Sequence, residues 1–172
     1  MHNLYARIRT MHLFSNCPII VPIDMSPEGK RALDCAKQLT ADASNITALH
    51  IYAPAPTLDP PYSCVYREVQ EAVERHVYYY CKEYERDGIK AIVETGQSPS
   101  DCIVRYAEKV GAGLIVMPSH GRTGMNHMLI GSVAERVVRH ARCPVLVLRG
   151  LSKEKSHVQP VEMAESIPAI LA

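Results

Sequence analysis

Two spacings of apolar residues alternate along the chain. Short apolar runs recur at Pro18–Asp24 (PIIVPID), Asn45–Tyr52 (NITALHIY), Ile89–Thr95 (IKAIVET), Leu114–Met117 (LIVM) and Val145–Leu148 (VLVL). Their length and β-branched content suit strands buried on both faces of a parallel sheet. Between them the apolar positions switch to the helical period: Ala32, Leu33, Ala36 and Leu39, then Val69, Ala72, Val73, His76, Val77, Tyr80 and Tyr84. The period returns at Ile103, Val104, Ala107 and Val110, and at Ala134, Val137, Val138 and Ala141. Five strands alternating with four helices predict a three-layer α/β/α fold, its sheet parallel and its crossovers right-handed.

Turn residues mark the boundaries. Ser26-Pro27 and Ser98-Pro99 each read as a helix N-cap followed by proline at the first helical position. Gly88 ends the long central helix, Gly111 and Gly113 bracket the turn into the fourth strand, and Cys143-Pro144 stops the last helix. The segment 53–63 (APAPTLDPPYS) can continue neither strand nor helix and reads as a loop placed to cover a ligand. Tyr78, Tyr79 and Tyr80 point round different sides of their helix, so at least one ring is exposed. The expected organisation is an N-terminal extension over 1–16, one domain over 17–150, and a C-terminal tail over 151–172 whose charge and prolines break any periodicity.

Composition narrows the function classes. At 172 residues and 47% hydrophobic the chain can bury one substantial core, and its formal net charge of +1 gives no electrostatic reason to expect nucleic acid or an anionic membrane. Six cysteines lie scattered without a Cys-x-x-Cys pair, which argues for free thiols in a reducing compartment and against a structural zinc. No apolar run is long enough to span a bilayer, and the expected location is cytoplasmic.

The chemistry concentrates between Leu114 and Leu148. There a buried strand runs into a glycine-rich polar loop, and Gly131-Ser132 opens the next helix. A helix N-terminus carries unpaired N–H groups and the positive end of the helix dipole, so this arrangement suits a phosphate. The bland alternative is a turn at Gly131 and an N-cap at Ser132. Asp24 falls just past the carboxyl end of the first strand, where open α/β sheets collect ligands, although a capping aspartate would read the same. No Gly-x4-Gly-Lys-[Ser/Thr] loop, metal-ligating repeat or nucleophile elbow is present, and no lysine lies between Gly121 and Ser132.

The run Ser119-His120-Gly121-Arg122-Thr123-Gly124, then Leu129 to Val137, then Cys143-Pro144-Val145-Leu146-Val147, resembles the signature of the universal stress proteins. In their nucleotide-binding branch the pattern is Gly, two residues, Gly, nine residues, Gly, then Ser or Thr. Gly121, Gly131 and Ser132 fill the last three places, and Pro118 stands in the first, where it offers no N–H. The resemblance covers about Pro18 to Arg149. It implies a Rossmann-like fold of the adenine nucleotide alpha hydrolase type with strand order 3-2-1-4-5.

It also implies ATP, accompanied by Mg²⁺, as ligand. Pro22, Asp24 and Ile51 would lie at the adenine side, with core packing an equal explanation of Ile51. Met117 and Pro118 would lie near the adenosine, and Gly121, Arg122, Gly131, Ser132 and Val133 around the phosphates. The implied protein is a nucleotide-responsive stress-response homodimer, paired through strand 145–148, with slow hydrolysis at most. The alternative within the family is a dimeric interaction protein that binds no nucleotide.

Overall fold

The computed structural model describes residues 14–53, 63–120 and 130–149, with side chains described from Arg67 onward in the helix that begins at Ser63. The predicted extension up to residue 13, the covering loop at 54–62, Gly121 and Arg122, and the tail from 150 lie outside the described residues. The elements are β1 (Ile19–Ile23), α1 (Pro27–Leu39), a 3₁₀ turn (Ala43–Asn45), β2 (Ile46–Tyr52), α2 (Ser63–Glu85), β3 (Lys90–Thr95), α3 (Pro99–Val110), β4 (Leu114–Pro118), α4 (Ser132–His140) and β5 (Val145–Leu148).

The strands form one sheet in the order β3-β2-β1-β4-β5 with every pair parallel. Side chains alternate across it and build two cores. Ile19, Val21, Ile23, Ile46 and Ala48 face α1 and α2, where Leu33, Ala36, Val77 and Tyr84 meet them. Ile20, Leu49, Ile115 and Met117 face Ile103 and Ala107 of α3 and Ala134 and Val137 of α4. Both faces are therefore covered, as a parallel sheet requires. Phe14 packs against the first core and the Asn45 side-chain amide donates to the Ser15 carbonyl at 2.8 Å.

Several local expectations are corrected. The stripe that α2 buries is Val73, Val77, Tyr80, Cys81 and Tyr84, while Val69, Ala72 and His76 are exposed. Val69 lies one turn before Val73, whereas Ala72 and His76 each precede a stripe residue by one position, about 100° round the helix, and fall on its solvent side. Val138 is likewise exposed: α4 turns Val133, Ala134 and Val137 to the core and Val138 away from it. Ser98 occupies the N-cap of α3 without a side-chain capping bond, its hydroxyl lying 3.3 Å from that of Ser100.

The sheet is not evenly laced. β1 and β2 pair along five positions from Ile19↔Ile46 to Ile23↔His50, whereas β1 and β4 pair only at Ile19↔Leu114 and Ile20↔Ile115. The Ile115 N–H donates to the Pro144 carbonyl, so the Ile115 peptide faces β5, and strand alternation turns the 116 and 118 peptides toward β1. The next donors in the β1–β4 ladder would be residues 22 and 118. Both are proline and neither has an N–H. The ladder stops, and the centre of the sheet opens at its carboxyl end.

Candidate functional site

The opening between β1 and β4 is a cleft of about 290 Å³. Its walls come from the ends of β1 (Pro22, Ile23, Asp24), β2 (Leu49, His50, Ile51) and β4 (Met117, Pro118, Ser119), and from the N-terminus of α4 (Gly131 to Ala134), with Pro99 and Ile103 of α3 behind. All eight described residues expected at a ligand site line it: Pro22, Asp24, Ile51, Met117, Pro118, Gly131, Ser132 and Val133. The sequence signal passed over His50, Ser119, Pro99 and Ile103. His50 and Ser119 stand at strand ends beside predicted residues, a position that would have pointed to them.

The β1–α1 turn is tightly held. The Ser26 N–H donates to Asp24 Oδ1 at 3.1 Å, and the Gly29 N–H donates to both the Ser26 carbonyl at 3.1 Å and its hydroxyl at 3.3 Å. Between Asp24 and Ser26, Met25 adopts φ 64°, a left-handed conformation costing a non-glycine residue about 1 kcal/mol. Such strain persists only where neighbouring bonds fix the backbone.

The α4 end is built differently. The Gly131 carbonyl accepts the first bond of the helix, from the Glu135 N–H at 2.9 Å, and Gly131 supplies no capping side chain. The N–H groups of Ser132, Val133 and Ala134 belong to the first turn and have no acceptor within the helix. Gly131 itself donates its N–H to the Ser119 carbonyl at 2.8 Å, so it tethers the helix start to the end of β4. A Cβ at residue 131 would come 3.0 Å from that same Ser119 oxygen, so any larger residue needs the end of β4 to give by a few tenths of an ångström. The side chain of Ser132 is exposed, whereas Ser119 is buried and its hydroxyl lies 2.9 Å from His120 Nδ1.

The cleft thus has an apolar floor of Leu49, Ile51, Ile103 and Met117, a carboxylate at one side and a helix N-terminus at the other. It can sandwich a flat apolar group and present N–H donors to an anion. No three His, Cys, Asp or Glu side chains converge as metal ligands among the described residues, and none of the described helices is long and apolar enough to cross a membrane.

Comparison with known proteins agrees with this architecture. The chain is 33% identical over 145 residues to the universal stress protein MJ0531 of Methanocaldococcus jannaschii, which covers 79% of this chain and 84% of that protein. The solved structure of MJ0577 superposes with a TM-score of 0.63 at 28% identity, covering 79% of this chain and 97% of that one. A universal stress protein solved in complex with cAMP matches at 25% identity and TM-score 0.57, covering 77% and 96%. Residues 17–149 match the Universal stress protein family as a whole, and with that span, this sheet order and these relatives the chain belongs to the universal stress protein family.

Proposed function

We propose that this universal stress protein binds ATP in the cleft between β1 and β4 and acts as a homodimeric, nucleotide-responsive regulator with slow hydrolysis or none. The observation that carries the reading is the N-terminus of α4, which has no side-chain cap among the described residues and whose first turn lines a cleft with an apolar floor. A relative of the same fold is in complex with an adenine nucleotide, cAMP, which supports the same ligand class. Pro22, Asp24 and Ile51 take the adenine and ribose side, and Met117 and Pro118 lie against the adenosine. Ser132 and Val133 donate to phosphate, with Gly121 and Arg122 assigned to the same end by the sequence pattern. Gly131 contributes close approach, its N–H being committed to Ser119.

Mg²⁺ accompanying the nucleotide would be held by phosphate oxygens and water more than by protein carboxylates. Efficient hydrolysis needs a positioned general base. Asp24 is used by the Ser26 N–H and His120 by the Ser119 hydroxyl, so each candidate base has a structural partner. The dimer forms through β5, an apolar strand at the edge of the sheet. Sedimentation at micromolar concentration checks this, with a dimer as the expected outcome.

Calorimetric titration with Mg-ATP, preceded by acid extraction to detect nucleotide carried through purification, tests the ligand. Saturable binding or co-purified adenine nucleotide is expected. A second reading, a dimeric interaction protein without nucleotide, draws on Pro118, which offers no donor at the mouth of the cleft. Folded protein with no bound nucleotide and no heat would select it.

A further inference from the structure

The turn that carries Asp24 is held from outside the cleft by a residue of α2. Tyr80 is half-buried on the face of α2 that packs against the first core, and its hydroxyl donates to the Ser26 carbonyl at 2.5 Å. That carbonyl also accepts from the Gly29 N–H, while the Ser26 N–H is taken by Asp24. The peptide groups on both sides of Ser26 are therefore fixed, one by the carboxylate that faces the cleft and one by a phenol 54 residues further along the chain. Between Asp24 and Ser26 stands Met25 in its left-handed conformation. A strained residue of this kind relaxes when the bonds flanking it are lost.

Gly29 is the second half of the device. It lies in the first turn of α1, where alanine would favour the helix, yet a Cβ there would come within 2.7 Å of the Tyr80 oxygen. Glycine leaves the phenol room to reach the carbonyl. Lys30 sits with its ammonium 5.3 Å from the Tyr80 ring centroid and adds to the fixing of the ring. Burial pushes the Tyr80 phenol well above its ordinary range, with the nearby charge of Asp24 adding to it, so the hydroxyl keeps its proton and remains a donor.

We propose that Tyr80 is a positioning residue for the Asp24 carboxylate: by holding the Ser26 carbonyl it keeps Met25 strained and aims Asp24 into the cleft, and glycine at 29 leaves it room. The inference rests on the nucleotide reading for its effect on affinity, but its structural half stands without a ligand. The first test is hydrogen exchange on the ligand-free full chain. Tyr80→Phe and Gly29→Ala are expected to speed exchange of the Ser26 and Gly29 amides at least several-fold while leaving the amides of α3 unchanged, and Tyr79→Phe, on the exposed side of α2, to change neither. Unaltered exchange at Ser26 and Gly29 in Tyr80→Phe overturns the proposal, whatever the protein binds.

The second test is a double-mutant cycle read by Mg-ATP titration. Tyr80→Phe is expected to weaken binding by about 5- to 10-fold in the native background, and to have no further effect once Asp24→Ala has been made. Equal losses in both backgrounds would make Tyr80 a general packing residue and overturn the proposal. Absence of binding by the unsubstituted protein would remove the nucleotide reading instead, and the exchange measurement would still decide whether Tyr80 holds the turn.

Discussion

Helices α1 and α4 both begin where a central strand of the sheet ends, and each leaves first-turn N–H groups to be paired. In α1 the protein supplies the partners: the Ser26 hydroxyl accepts from Gly29, Pro27 at the first position brings no N–H, and the Asp24 carboxylate accepts from Ser26. In α4 the cap is Gly131, which has no side chain, and the residues of the first turn line the cleft. One helix start has a side-chain cap from its own sequence, and among the described residues the other has none. The contrast is the ground for proposing that the anion end of the cleft lies at α4, because a buried N–H is costly until something accepts from it.

The largest effect that would break this contrast is expected at Gly131. Gly131→Val forces a side chain against the Ser119 carbonyl and across the mouth of the α4 donors. ATP affinity is expected to fall by about 100-fold or more, the loss of several charge-assisted bonds, with the circular dichroism of the folded protein retained. A folded variant that binds ATP normally would remove the phosphate end from α4. Next in size is Ser132→Ala, which deletes the exposed hydroxyl but keeps the backbone donors. Titration should show a weakening of about 5- to 10-fold.

Pro118→Gly sharpens the comparison from the other wall, since it restores the glycine of the family pattern and an N–H at the mouth of the cleft. The expected result is a gain of a few-fold in ATP affinity together with a loss of roughly 0.4–1 kcal/mol in urea stability, from the freer unfolded chain. The smallest effect on binding is expected at Ser26→Ala. It removes the side-chain cap of α1 at a cost of about 1 kcal/mol in stability, while the backbone bonds of Ser26 to Asp24 and Gly29 survive. ATP affinity should change by less than about twofold, in keeping with a cap that serves the fold and not the ligand.

Much of this was legible in the sequence because strands and helix starts carry local signals. The apolar runs of all five strands, the Ser26-Pro27 start of α1 and the Gly131-Ser132 start of α4 each follow from neighbouring residues. The order of the strands did not follow from local pattern and came from the family resemblance, since which strands neighbour each other is a property of long-range packing. How much of α2 the core covers is long-range for the same reason: Val69 lies one turn before Val73 and His76 lies beside Val77 on the solvent side, although both keep the helical period.

Proline shows the difference between identity and meaning. From sequence, Pro118 is a departure that removes a donor, and Pro22 is part of an apolar run that the family resemblance puts at the adenine side. Only the register of β1 against β4 shows that the two fall on the shared edge, where together they end the ladder and open the cleft. Tyr80 is likewise, in the sequence, one residue of a helical stripe and one of three adjacent rings. Its contact with Ser26 joins residues 54 positions apart, and no local pattern announces it.

The central claim is that the N-terminus of α4 is the phosphate end of the cleft. Titrating the full chain in parallel with Mg-ATP, AMP and adenosine tests it directly. Affinity is expected to fall stepwise as phosphates are removed, and the difference between ATP and adenosine to vanish in Gly131→Val. Adenosine binding as tightly as ATP to the unsubstituted protein would contradict the account, because the donors of α4 would then have no part in holding the ligand.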